Sequence, residues 1–496
     1  MACAAEALWA ALAAGGTRPA VRDAAIELSA AQLLQDMRAR RARLDALGAR
    51  RVALALDNGA DWVAWDLALL DSGRVCVPVP GFFSPQQQAH VLDSAGVDTL
   101  IGDPIVAARV AGFQEIDEGI FQRVPRTVPS LPAGTVKITY TSGTTGQPKG
   151  VCLDAGAQLA VARSLAEVST ACGVERHLSV LPLATLLENV GGVYAAILAG
   201  ARVDLVPQAA LGMTGASGFD VARFIRTLHD HQPHSLILLP QLLLALVTAA
   251  EQGIKLPDSL RFVAVGGARV SPALLVRAEA LGLPIFEGYG LSECASVVCV
   301  NTPAARRIGT VGRPLAHAAV RLAADGEVEV RGACMLGYLG EPAPASDWLP
   351  TGDLGHFDDG FLVLHGRKKH QFVTAFGRNV NPEWVEAELT QQAPIAQAWV
   401  HGEALAANVA VIVARGAERS DGDIDAAIAI ANAALPDYAR VQRWLRADEA
   451  FSFHNDLLTA NGRLRRAALA ERYLARIGGA DPGPAPFLPI EQEIDA

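Results

Sequence analysis

The chain has 496 residues, 51% of them hydrophobic, and a formal net charge of −10. That length allows roughly two to four domains and a large core. The acidic balance excludes a general nucleic-acid binder, which carries a basic footprint, but does not bear on small anionic ligands held by local groups.

Residues 1–16 are apolar but contain Glu6 and no leading Lys or Arg. They read as a helix and not as a secretory signal. The Arg-rich stretch Met37–Arg51 reads as a solvated helix face. Arg51–Ala55 reads as a strand and Val63–Leu70 as helix; Val136, Ile138 and Tyr140 alternate as in a strand. His229–His234 (HDHQPH) lacks the spacing of a metal site and is given a structural role. The apolar run Leu236–Val247 contains Pro240 and Gln241 and falls well short of the ~20 residues that span a bilayer. No membrane span is therefore expected, and the chain is expected to be cytoplasmic.

Ser235–Leu239 and Arg261–Val265 read as buried strands. After the second, Ser271 suits an N-cap, Pro272 the first helical position and Gly282 the stop. Pro284–Phe286 completes a βαβ unit, so a layered α/β sheet is expected. From about Val320 the texture changes to hairpins with Asp-Gly turns, which predicts an appended small β-barrel or antiparallel sheet. A break at Gly366–Lys369 precedes a helix near Asn381-Pro382, strands at 398–401 and 408–413, and a helix near 423–435. That is a small α/β module. Residues 477–496 are rich in Gly, Pro and acid and are expected to be poorly ordered.

The seven cysteines show no C-x-x-C spacing. They read as ordinary thiols of a reducing compartment. Lysine is scarce: Lys137, Lys149, Lys255, Lys368 and Lys369 are the only five.

The strongest local signal is Tyr140–Gly150, YTSGTTGQPKG. Gly143 and Gly146 let backbone N–H groups turn inward, while Thr141, Ser142, Thr144 and Thr145 add hydroxyls. Such a loop can wrap phosphate oxygens, and Lys149 adds a mobile charge. It is not a Walker A loop, because Pro148 precedes the lysine and Gly150 follows it.

This string resembles the phosphate-loop signature of the adenylate-forming superfamily: acyl-CoA synthetases, peptide-synthetase adenylation domains and luciferases. Further stretches resemble its other motifs in order: LPLATLLEN (Leu181–Asn189), EGYGLSE (Glu287–Glu293), DGEVEVRG (Asp325–Gly332), WLPTGDLG (Trp348–Gly355) and GRKKHQFVTAFGRNVNPEWVE (Gly366–Glu386). The resemblance is greatest to long-chain acyl-CoA synthetases.

It implies an AMP-binding domain over 1–365, a hinge at 366–369 turning about Lys369, and a mobile C-terminal domain over 370–476. It also implies a nucleotide site. Thr141 to Gly146 would line it, with the turn Gly267, Ala268 and Arg269 and the run Glu287, Gly288, Tyr289, Gly290, Leu291 and Ser292. Tyr289 would lie against the adenine. Asp353 would hold the ribose hydroxyls, and Arg367 the ribose and phosphate side. Glu293 and Thr144 would hold Mg²⁺. Thr185, Glu188 and Gly377 would serve the acyl and thiol sites. The implied reaction adenylates a carboxylic acid, a fatty acid by the long-chain likeness, and transfers the acyl group to CoA. A carrier-protein phosphopantetheine would serve as acceptor equally well.

Two positions depart from the family pattern. Arg463 stands where the family has a late catalytic lysine, and no lysine follows Lys369. Either Arg463 delivers the charge with different geometry, or adenylation is impaired and the site does something else. Thr185 replaces the histidine of the long-chain motif. The pair Gly191-Gly192 leaves two readings open, room for an acyl chain or helix packing.

Overall fold

The computed structural model describes residues 2–141, 148–214, 218–416, 418–459 and 462–478. Ser142, Gly143, Thr144, Thr145 and Gly146 lie outside these, as does the terminal stretch from 479 onward.

Two large mixed sheets dominate. One has nine strands, with Arg176–Ser179, Arg202–Leu205, Ser235–Leu238, Phe262–Val265 and Ile285–Leu291 among them. Consecutive members of its centre run parallel. The other has eight, built around Arg51–Ala55, Val75–Pro78 and Lys137–Thr141. The predicted βαβ unit is present: helix Pro272–Ala280 is capped by Ser271 Oγ, which accepts from Ala273 N–H, and Gly282 beyond its end has φ +71°. The predicted hairpins form a four-stranded antiparallel sheet, Ala318–Leu322, Glu327–Gly332, Leu349–Asp358 and Phe361–Arg367. Asp359 (φ 49°) and Gly360 (φ 78°) link the last two strands through a tight turn with both residues left-handed, which matches the twist of the flanking strands.

The last segment carries helix Pro382–Thr390, capped by Asn381, and a three-stranded sheet, Ile395–His401, Asn408–Ala414 and Val441–Arg446. Helices Asp421–Ala433 and Arg466–Gly478 complete it.

A buried charge sits in the core of the large sheets. Lys137 Nζ lies 2.9 Å from Asp66 Oδ1, and both side chains are almost wholly buried. Asp66 Oδ2 accepts from Tyr194 O–H at 2.6 Å and from Asn189 Nδ2 at 2.8 Å. The Cys76 thiol donates to Oδ1, and Lys137 also donates to Asn189 Oδ1. A buried ion pair is tolerated when its lone pairs and protons are satisfied in this way.

The histidines of HDHQPH are spent on structure. His231 Nδ1 lies 3.3 Å from Asp204, and His234 Nδ1 accepts Glu175 N–H. No group of metal-binding side chains occurs among the described residues. Arginines of helix Ala30–Leu47 pair with Asp36, Asp61 and Asp71 at the surface. Among the described residues, no helix is long and apolar enough to cross a membrane.

Candidate active site

Antiparallel pairing puts Asp353 directly opposite Arg367. Arg367 Nε lies 2.8 Å from Asp353 Oδ1, and the Tyr289 hydroxyl donates to Oδ2 at 2.6 Å. Thr351 Oγ1 accepts Asp353 N–H and donates to the Val328 carbonyl, while Arg367 Nη1 donates to the Thr351 carbonyl. Burial pushes the Asp353 carboxyl above its usual range, against the pull of Arg367 and the Tyr289 hydrogen bond. Tyr289, expected to lie against an adenine, belongs to a buried cluster with Val298, Cys299, Val328 and Val330, and its hydroxyl stands at the corner.

Tyr289 belongs to strand Ile285–Leu291, which pairs antiparallel with Ser296–Val300 through an irregular register. At Gly290 the two backbones are pinched together: a Cβ there would lie 1.7 Å from the Ser296 carbonyl oxygen. Only glycine fits such an approach. The strand ends in the 3-10 turn Ser292–Cys294, followed by Ala295 (φ 52°) and Ser296 (φ 118°). Left-handed backbone at residues other than glycine is strained and has to be held by its surroundings. This turn presents Glu293. Its Oε1 accepts from Tyr338 O–H at 2.8 Å, and its carbonyl accepts Met335 N–H at 2.7 Å.

Glu287 is wholly enclosed at the other end of the strand. Burial raises its pKa to about 8, despite the nearby Arg269 charge. Arg269 is enclosed too. It donates from Nη1 to the Leu364 carbonyl, while its buried Nε has no partner among the described residues. Gly267 (φ +79°) and Ala268 are exposed in the turn before it.

Thr141 and Lys149 face each other where strands Lys137–Thr141 and Lys149–Leu153 open into the loop between them. Lys149 Nζ pairs with Glu341 at 3.0 Å and sits 5.0 Å from the centre of the Tyr338 ring. Tyr338 thus touches both Lys149 and Glu293.

The last segment reaches the same place. Arg463 Nη2 donates to the Gly267 carbonyl at 3.3 Å. Enclosure and the Arg367 charge lower its pKa, opposed by Glu383, Asp353 and Glu293. Arg463 rides on a tight turn: Thr459 N–H donates to its carbonyl and its N–H donates to Thr459 Oγ1. Beyond it, Arg466 makes a two-pronged pair with buried Glu386 at 2.9 and 2.6 Å. Lys369 has its pKa lowered by enclosure and by Arg367, with Glu383, Arg463 and Asp353 also in range. Burial opposes ionisation of Glu383, but the 2.6 Å contact with His370 and the Arg466 charge bring it down to about 2. Gly377 (φ +72°) lies in an exposed turn, its N–H donating to Thr374.

The stretch Leu181–Asn189 is anchored from behind. Asn58 Nδ2 donates to the Leu181 carbonyl and its Oδ1 accepts Leu183 N–H. The expectation that Glu188 lines an acyl site is corrected. Glu188 is fully buried, with one oxygen on His177 Nε2 at 2.8 Å and the other on Leu181 N–H at 2.9 Å. It holds the stretch in shape. Gly192 serves that pair: a Cβ there would lie 2.4 Å from Glu188 Oε1 and 2.6 Å from His177 Nε2. A Cβ at Gly191 would meet Leu165 and Ile237 at ordinary distance. The Glu188–His177 pair therefore accounts for Gly192. Thr185 Oγ1 donates to the Pro182 carbonyl.

Sequence reasoning passed over Tyr338, Thr351, Asn58, His370 and Glu383. Thr351, His370 and Glu383 stood inside quoted motifs. Tyr338 and Asn58 carry no local signature, since only the pairing of distant segments brings them to the site.

A family model described as AMP-binding enzyme matches residues 8–339. Among curated proteins, the chain is similar to the 2-succinylbenzoate–CoA ligase of Bacillus subtilis (strain 168), 26% identical over 352 residues, covering 67% of this chain and 66% of that one. It is similar to the long-chain-fatty-acid–CoA ligase FadD15 of Mycobacterium bovis, 26% identical over 570 aligned positions, covering 91% of this chain and 92% of that one. Among solved structures, the anthranilate CoA ligase AuaEII with anthranoyl-AMP shares the fold, with a TM-score of 0.79 at 20% identity, over 96% of this chain and 98% of that one. The O-succinylbenzoate coenzyme A synthetase of Bacillus subtilis with ATP and magnesium gives 0.74 at 22% identity, over 93% and 98%.

Proposed function

The chain belongs to the AMP-binding enzyme family, and we propose from that premise that it joins a carboxylic acid to AMP and passes the acyl group to CoA. The observation that carries this reading is the convergence of Asp353, Arg367, Glu293 and Arg463, drawn from separate segments, on one corner. A carboxylate oxygen attacking the α-phosphorus of ATP spreads negative charge over the phosphoryl oxygens and the leaving pyrophosphate. Asp353 offers two oxygens to the ribose hydroxyls, and Arg367 a fork of donors beside them. Arg463 supplies the charge that a lysine supplies elsewhere in the family; its guanidinium has donors to spare beyond the Gly267 carbonyl. The Lys149–Glu341 pair is half exposed, worth about 0–1 kcal/mol, so Lys149 is easily redirected to a phosphate.

Glu293 fits a Mg²⁺ site, because it is a hard oxygen donor and, among the described residues, Tyr338 engages Oε1 alone. When bound, the ion neutralises part of the polyphosphate charge. Gly267, Ala268 and Arg269 would border the base, and Thr141 and the loop after it the phosphates. Residues 370–476 would turn about Lys369 for the second half-reaction and bring the Gly377 turn to the thiol.

The acid we propose is a fatty acid, supported by the near full-length likeness to a long-chain-fatty-acid–CoA ligase and by the LPLAT frame. An aryl acid is the second reading, favoured by the likeness to 2-succinylbenzoate–CoA ligase. Acid-dependent ATP–pyrophosphate exchange across saturated and aryl acids tests both, followed by thioester formation with CoA. Exchange with fatty acids and CoA thioester are expected. Exchange with aryl acids alone would remove the fatty-acid assignment. Exchange without thioester would remove CoA as acceptor.

A further inference from the structure

Cys294 and Cys334 are remote in sequence, and their spacing matches no redox signature, yet the fold brings their sulfurs to 3.8 Å. Both are free thiols. Their backbones are already joined, because Met335 N–H donates to the Glu293 carbonyl at 2.7 Å. The peptide unit before Cys294 is thus hydrogen-bonded to the peptide unit after Cys334. The two sulfurs, on segments bridged in this way, have only to close from 3.8 Å to the ~2.05 Å of a disulfide. Access is asymmetric: Cys294 is buried beside Tyr289 and Val298, whereas Cys334 is half-buried.

We propose that Cys294 and Cys334 form a reversible oxidative modification site, in which a hydroperoxide converts the dithiol to a disulfide and alters the turn that presents Glu293. Cys334, as thiolate, attacks a peroxide oxygen. The O–O bond breaks, the leaving oxide takes up a proton, and the sulfur is oxidised by two electrons to a sulfenic acid. The Cys294 sulfur then attacks it. The S–O bond breaks, the S–S bond forms, and the hydroxyl leaves as water with the Cys294 proton. A dithiol reductant reverses the change.

The consequence for activity rests on the role proposed for Glu293. Cys294 follows Glu293 directly, and the left-handed Ala295 and Ser296 follow Cys294, so a pull on its sulfur acts on backbone with little slack. Cys334 leads into the segment whose Tyr338 hydroxyl holds the Glu293 carboxylate. The new bond therefore acts on Glu293 from both sides.

The test uses the full chain, reduced, freed of reductant and exposed to hydrogen peroxide. The thiols are then blocked and the protein mapped by mass. Exchange is measured before oxidation, after it, and after dithiothreitol. We expect a linked Cys294–Cys334 peptide, a several-fold fall in exchange and recovery on reduction. Cys334→Ser should start at the unmodified rate and lose the response. Full alkylation of both cysteines after peroxide would overturn the proposal, a result read on the native chain with no variant needed. A linked peptide with unchanged exchange would overturn its effect on the site. No exchange with any acid before oxidation would instead remove the ligase reading, and the peptide map would still judge the disulfide.

Discussion

Two places in this molecule gather charge, one buried and one open to solvent, and they do so in opposite ways. Around Lys137 and Asp66 one cation meets one anion, and the surrounding tyrosine, asparagine and thiol satisfy the carboxylate. At the corner of Asp353, Arg367, Lys369 and Arg463, several charges crowd together, and loss of solvent, followed by the Arg367 charge, lowers the pKa values of Lys369 and Arg463 against the pull of Glu383 and Asp353. The first arrangement is complete without a ligand. The second sets Arg367, Lys369 and Arg463 among Asp353, Glu383 and Glu293 where a ligand can reach them. Buried, saturated pairing marks a structural cluster, and accessible crowding of charge marks a site.

Substitutions can sharpen or break that contrast. Lys137→Met should have the largest effect, because it leaves the buried Asp66 carboxyl without its cation. A loss of about 3–5 kcal/mol in denaturant unfolding is expected; a loss near zero would show that the pair is not structural. Arg463→Ala should slow exchange by roughly 10²–10³, the usual toll of removing one donor from developing charge, with little change in melting, since among the described residues its side chain makes a single long hydrogen bond. Arg463→Lys should retain most of the rate; equal rates for the two variants would remove Arg463 from the reaction.

Asp353→Asn should weaken AMP binding by about 1.5–3 kcal/mol, the usual worth of a hydrogen bond to a charged group, as read by calorimetry. Unchanged affinity would place the ribose elsewhere. Glu287 is the subtlest case. Its folded pKa of about 8 lies above the unfolded carboxylate value, so folding favours the proton. The stability this gives is full below the unfolded carboxylate range and is lost progressively from there until pH reaches about 8. Glu287→Gln, which has no such proton to keep, should therefore flatten the fall in melting temperature between about pH 5 and 8. An unaltered fall over that window would mean that Glu287 is ionised in the folded chain.

Much of the architecture was legible beforehand, because it is written locally. Ser271-Pro272 with Gly282 announces a helix, and Asp359-Gly360 announces a hairpin, through residues in contact with their own neighbours. The Asp353–Arg367 opposition was visible only as two motif residues, since strand register decides that they face each other. Glu188 stands in a motif associated with a ligand, but burial is a tertiary property, and the fold turns its carboxylate inward. Tyr338 reaches Glu293 only because the short strand Gly337–Tyr338 pairs with Lys149–Leu153.

The pinch at Gly290 sets a limit on how this enzyme can diversify. A randomised library across 287–293 would find almost no folded members with any other residue at 290, because a side chain there meets the opposing main chain, which no neighbouring side-chain change can move aside. Variation would have to accumulate around that fixed point. Homologous segments swapped in from relatives would be accepted most readily when they bring the glycine and its paired strand together.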